Sequence, residues 1–139
     1  MRSYMTNNKF YKKIASLSEF KTIHDESGNE YVLFKNSCMD SIHGITDKTE
    51  FEAVENHIHL LDKIKSEEFE DLIKIAPSIC CLLLNSLQCA FPDKHFVVYV
   101  TVHLHDSMTI RFHQKWENED YYIDPGFSTS TEKTFMMDC

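Results

Sequence analysis

Apolar residues recur along the chain with two different periods. Near the start, Phe10, Ile14 and Leu17 fall at the spacing of one helical stripe. Asn7 or Asn8 can cap that helix, because a short polar side chain satisfies the free N–H groups of a first turn. Lys21 to His24 and Glu30 to Phe34 read as two short strands. Between them Asp25-Glu26-Ser27-Gly28-Asn29 is turn chemistry, so the segment predicts a hairpin.

The middle of the chain predicts helices. Asp47 can act as an N-cap with Glu50 three residues later, and Phe51, Val54, Ile58 and Leu61 follow on a single apolar face. On that helix His57 and His59 would point about 200° apart. Ser66 can cap a further helix, with Glu67 and Glu68 favourable to its dipole, running through Phe69, Leu72 and Ile73 to Pro77. Pro77 then suits the first turn of another helix, Ser78 to Ala90. Its Ile79, Cys80, Leu82, Leu83, Leu84 and Leu87 cover so much circumference that it should be the central buried helix.

After Pro92 the period changes to two. His95 to His105 and Thr109 to Trp116 alternate sharply and predict a long hairpin. A two-residue loop at Asp106 and Ser107 would put the two apolar sets on opposite faces of the sheet. A three-residue loop, Asp106 to Met108, pairs His105 with Thr109 and Leu104 with Ile110. Phe96, Val98, Val100, Val102, Leu104, Ile110, Phe112 and Trp116 then share one face against the buried helix. Tyr121 to Ile123 would add a short strand, and residues 125–139 read as an irregular tail from which Phe135 and two Met could dock. The fold class expected is α+β, as one domain over residues 1–139.

Composition narrows the function classes. With 3 Gly and 3 Pro against 42% hydrophobic residues, the chain can build a core and is not a disordered linker. The net charge of −8 carries no basic run, which argues against a nucleic-acid surface and suits steering toward a cationic partner. The polar start, Met1 to Lys13, has no apolar stretch of signal-peptide length, and Ile75 to Leu84 is too short to span a membrane. Five Cys in no paired framework point to a reducing compartment, so a cytoplasmic location is expected.

Two kinds of site can be drawn from these positions. The polar face of the hairpin would gather His103, His105, Arg111 and His113, with His103 facing Arg111. Such a face could hold zinc through two or three imidazoles, or use His103 and His113 as general acid and base. Arg111 in its middle would repel a cation, the register separates His113 from His105, and His, Thr, Tyr and Arg are ordinary occupants of a solvated sheet face. The chain has no phosphate loop, nucleophile elbow or zincin motif, so no catalytic residue, cofactor or metal is assigned. The second kind is a protein-binding surface. Glu52, Glu55, Asp62, Glu67 and Glu70 make the predicted helices acidic. Trp116, Glu117, Glu119, Asp120, Tyr121 and Tyr122 mix aromatic anchors with acids, as interfaces with basic partners do.

The string HLHDSMTIRFHQKWENEDYYID, His103 to Asp124, resembles the C-terminal hairpin of some immunity proteins of bacterial contact-dependent growth inhibition systems. In that pattern a polar turn leads into a strand of the T-[IL]-R-F-H kind, followed by an acidic aromatic stretch. The resemblance covers 22 of the 139 residues and transfers no interface positions. It implies a cytosolic antitoxin that binds one toxin domain, often a nuclease, and blocks its active site. The expectation is therefore a non-enzymatic inhibitor whose partner is a basic protein toxin, with neither nucleic acid nor membrane as a direct partner.

Overall fold

The alternating apolar positions of residues 96–114 become the centre of a four-stranded antiparallel sheet. A computed structural model describes residues 8–124 and 128–139; the possible cap Asn7 lies outside the described residues. The chain forms α1 (Asn8–Ala15), β1 (Phe20–His24), β2 (Glu30–Phe34), α2 (Lys48–Glu55), β3 (His57–Asp62), α3 (Ser66–Ala90), β4 (Phe96–His103), β5 (Ser107–Gln114) and β6 (Glu132–Asp138). The large sheet has the order β3-β5-β4-β6, and β1 and β2 form a separate hairpin. The architecture is α+β, with the long C-terminal hairpin packed on a central helix.

The first hairpin follows its turn chemistry. Asp25 Oδ1 accepts the N–H groups of Ser27 and Asn29, both at 2.9 Å, and Gly28 takes a positive φ of 84°. Asn29, through its side-chain amide, and Tyr31 also donate to Asp25, holding its carboxyl down at about 2. Asp47 likewise caps α2, accepting from the Glu50 N–H at 2.9 Å.

Several expectations are corrected by long-range contacts. The helix begun at Asp47 stops at Glu55, and Ile58 and Leu61 lie in β3, not on a helical stripe. Here the edge of β5 wins: the Asn56 carbonyl accepts the Phe112 N–H, and His57 to His59 pair with Arg111 to Thr109. Secondly, Pro77 does not divide two helices; α3 runs unbroken for 25 residues. An interior proline costs about 3 kcal/mol, but Phe69, Leu72, Ala76, Ile79, Leu83 and Leu87 form one buried stripe on both sides of it. Burying each of the larger side chains returns about 2 kcal/mol, so packing outweighs the break.

Thirdly, the loop of the long hairpin is Leu104 to Asp106, not Asp106 to Met108. Val102 pairs with Met108 and Val100 with Ile110. This shift preserves parity, so the apolar sets still share one face, but it buries Met108 and puts exposed His105 in the turn at φ 65°. The Ile64 backbone fixes that turn through two hydrogen bonds, to the His105 N–H and the Asp106 carbonyl. Trp116 leaves the main core for a second cluster around Tyr31. Fourthly, within the expected irregular tail, Glu132–Asp138 is a strand that pairs along β4 from His103 to Val97. Tyr121 to Ile123 is not a strand.

Helix α3 packs on β4 and β6. It is long and apolar enough to cross a membrane by composition, and here its apolar stripe faces the sheet. All five cysteines are free thiols; Cys80 is buried, whereas Cys81 and Cys89, on the helix expected to be buried, are exposed.

Glu52 joins the two sheets. It is fully buried and its carboxylate accepts four hydrogen bonds: from the N–H groups of Val32 (2.9 Å) and Gln114 (2.7 Å), from Gln114 Nε2 (2.8 Å) and from Trp116 Nε1 (2.7 Å). One turn later, Asn56 donates to the Val32 carbonyl (2.8 Å) and accepts from the Phe34 N–H (3.0 Å). Burial pushes the Glu52 carboxyl up from 4.5 to about 7, against the pull of those four donors. Since the folded value stands above the unfolded one, Glu52 takes up a proton on folding between about pH 4.5 and 7. Its contribution to stability therefore falls as pH rises through that window. Glu52→Ala should cost about 4 kcal/mol in urea unfolding because it orphans buried donors. Glu52→Gln keeps the volume, and its stability relative to wild type should rise as pH increases from 4.5 to 7.

Candidate functional site

The histidine-rich face does not assemble as the sequence suggested. His103 lies at the end of β4, level with Glu132 on β6, and His113 is level with Val97. They are six positions apart along the sheet, roughly 20 Å, too far for an acid–base pair. His105 is in the turn. Arg111 points between α2 and the chain after β5, donating to the Ala53 carbonyl at 3.0 Å and lying over the Tyr122 ring at 5.0 Å. Among the described residues no three His, Cys, Asp or Glu side chains are placed to hold a metal ion.

His113 is 1% exposed and fully engaged. Its Nδ1–H donates to the Gln114 carbonyl at 2.7 Å, because a carbonyl can only accept. Nε2 must then accept, from the Tyr99 hydroxyl at 2.9 Å and the Tyr122 N–H at 3.4 Å. Burial holds its pKa below 6.5 and pushes the Tyr99 phenol up to about 12. The pair is a neutral structural bridge beneath residues 121–123. Sequence alternation placed His113 on a polar face but could not show that a later segment covers it. His57 and His59, expected to diverge on a helix, instead share one face of β3 with ring centroids 5.6 Å apart.

The acidic residues divide into different structural settings. Glu52 is buried in the core and cannot meet a partner. Glu55 is half-buried and accepts from Ser37 Oγ. Asp62 is exposed at the start of β5, Glu67 and Glu70 are exposed on the first turns of α3, and α2 packs on β5. No single helical face unites them. Glu119 is half-buried and caps α2 from outside, with Oε1 accepting from the Thr49 N–H and hydroxyl, both at 2.6 Å. Burial tends to raise its pKa, but the Thr49 bonds and Lys48 hold it below the usual value. Trp116 is half-buried, with its indole N–H spent on Glu52 and Lys48 over its ring. The Tyr121 hydroxyl donates to Asp138 at 2.6 Å, which also pairs with Lys115.

A concave surface survives this sorting. A groove of about 460 Å³ lies between the start of α2 and residues 118–122, lined by Asp47, Glu50, Glu119, Asp120, Tyr121 and Tyr122 among others. Four carboxylates and two phenol rings meet there. Glu50 and Asp120 are exposed, and Tyr122 is 38% exposed. The sequence shows Asp47 only as a cap, because its nearness to Asp120 is a tertiary fact. A shallower groove of about 310 Å³, lined by Ile45, Phe51 and Val54, shares Asp47 and Glu50 with it.

No model of a known protein family matches the chain, and no curated protein or solved structure matches it either. The assignment of function rests on the surface itself. The His113 bridge is checked by nitrogen NMR: its ring should keep the neutral pattern, protonated at Nδ1, when the pH falls below 6.5. Its depressed pKa makes the fold lose stability on that acid side, where the unfolded chain binds the proton and the folded one does not.

Proposed function

We propose that the chain is a cytoplasmic immunity protein that binds a cognate, basic toxin domain of the nuclease kind and covers its active site. The observation that carries this reading is the acidic groove beside α2. Its carboxylates are held by the fold before any partner arrives: Asp47 and Glu119 are fixed by helix caps, and Glu50 and Asp120 project to solvent. Pre-set charge of one sign accelerates encounter with a cationic surface and fixes its orientation. Tyr121 and Tyr122 supply rigid amphipathic area with little rotamer entropy to lose. The neighbouring apolar groove at Ile45, Phe51 and Val54 offers a dry contact next to the charges.

A net charge of −8 gives the same direction to long-range steering. Within this reading the protein acts by binding and performs no reaction. Glu117, Asp120 and Tyr122 remain contact residues, joined by Glu50 and Val54, while Glu52 and Trp116 act only by holding the surface in place.

Affinity capture of the full chain from its native host, followed by mass spectrometry, should recover one basic protein. Glu50→Lys combined with Asp120→Lys should weaken that complex by about 100-fold, chiefly at low ionic strength. Both side chains are exposed, so the circular dichroism spectrum should not change. Capture of the same protein with undiminished affinity by the double variant would overturn the groove as interface.

A further inference from the structure

The outer face of the large sheet carries a further groove, which meets the acidic one at Tyr122 and is otherwise lined by other residues. It measures about 360 Å³ and runs over β5, β4 and β6. Arg111 and Tyr122 bound one end; Thr101, Thr109 and Thr134 cross its floor, and Asp106 and Glu132 bound the other. Register fixes this order, since Arg111 is level with Tyr99, Thr109 with Thr101 and Thr134, and His103 with Glu132.

Arg111 is the unusual member. It is half-buried in a chain with 22 acidic residues, yet among the described residues no carboxylate is paired with it. Of the five N–H donors on a guanidinium, one reaches the Ala53 carbonyl, and the Tyr122 ring holds the plane from one side. That leaves a fixed fork without an acceptor, the geometry that takes a carboxylate through two parallel bonds. Asp106 and Glu132 are likewise in no ion pair with a described cation. Opposite charges thus stand at the two ends of one groove with no ion-pair partner among the described residues. Four strand positions separate Arg111 from the level of Glu132, roughly 13 Å at the backbone, and the side chains reach inward from there.

We propose that this groove binds a short zwitterionic peptide, with its C-terminal carboxylate on Arg111 and its N-terminal ammonium against Glu132 and Asp106. An extended tripeptide spans roughly 10 Å between its charges, which matches the spacing. The Thr101 and Thr134 hydroxyls bond each other at 3.0 Å and Thr109 bonds Ser107 at 3.4 Å, and since each hydroxyl has one donor and two acceptor positions, capacity remains for peptide amide groups. A groove of about 360 Å³ sits at the small end of ligand sites and excludes a longer chain lying wholly inside it.

The test is an NMR titration of the labelled full chain with triglycine, N-acetyl-triglycine and triglycine amide. Triglycine should give saturable shifts at the Arg111 side-chain N–H and the Thr101 and Thr109 amides. Amidation should weaken binding by about tenfold and acetylation by a smaller factor. Arg111→Lys, which keeps the charge but loses the fork, should also cost about tenfold. Glu132→Gln combined with Asp106→Asn, both on the rim, should abolish the preference for the free over the acetylated amine and leave the amide penalty intact. Equal shifts from all three peptides, or shifts that never saturate, would overturn the proposal. Saturable binding that the double variant leaves unchanged for both amine forms would overturn its cationic end.

Discussion

Four N–H groups, from Val32 on β2, Gln114 at the end of β5 and Trp116 two residues beyond it, converge on the carboxylate of Glu52, and the arrangement of both sheets depends on that convergence. The outer edge of β2 and the end of β5 each present donors that no strand satisfies. A buried donor without a partner costs about 1–3 kcal/mol, so leaving these bare would cancel much of a small domain's stability. Glu52 on α2 and Asn56, the residue that caps its end one turn later, face the same way and take the place of a missing strand. The helix must end at Glu55 for this to work, because the Asn56 backbone also accepts from Phe112 and passes the chain into β3. One short helix therefore docks the hairpin, supplies an edge strand and positions Trp116.

The same constraint decides where chemistry can reside. Trp116, anchored by Glu52, starts the return of residues 117–123 across the outer sheet face, and that return seals Tyr99 and His113. The histidines that looked most reactive are thereby spent on structure or spread along the sheet. What remains open is surface of two electrostatic kinds. Beside α2, carboxylates held by caps form an acidic groove; on the outer sheet face, the Arg111 guanidinium and the acids Asp106 and Glu132 bound a groove with a threonine floor.

The elements that could be read from the sequence are those set by local chemistry. The turn at Asp25 to Asn29, the Asp47 cap, the helix at 78–90 and the long alternating hairpin depend on side chains a few residues apart or on a strong period. The parity of that hairpin was legible too, because only pairing of like parity keeps Val100 and Ile110 on the face that α3 covers. The acidic aromatic stretch at 117–122 was visible as composition, and its Asp120, Tyr121 and Tyr122 do line the acidic groove.

Tertiary structure decided what competing local signals left open. His57 to Asp62 fits a helical stripe as well as a strand, and the free edge of β5 selects the strand. Pro77 is a helix breaker by its own chemistry, and a continuous buried stripe overrides it. Glu132–Asp138 has weak strand character until β4 offers a full ladder of hydrogen bonds. Glu52 reads as one more surface acid, and only the meeting of four donors from distant segments turns it into the buried centre of the fold. Sequence by itself determined the local elements and their polarity, since those follow from short-range sterics and period. Only the fold determined which polar groups are spent internally, because satisfying a buried donor depends on atoms far away along the chain.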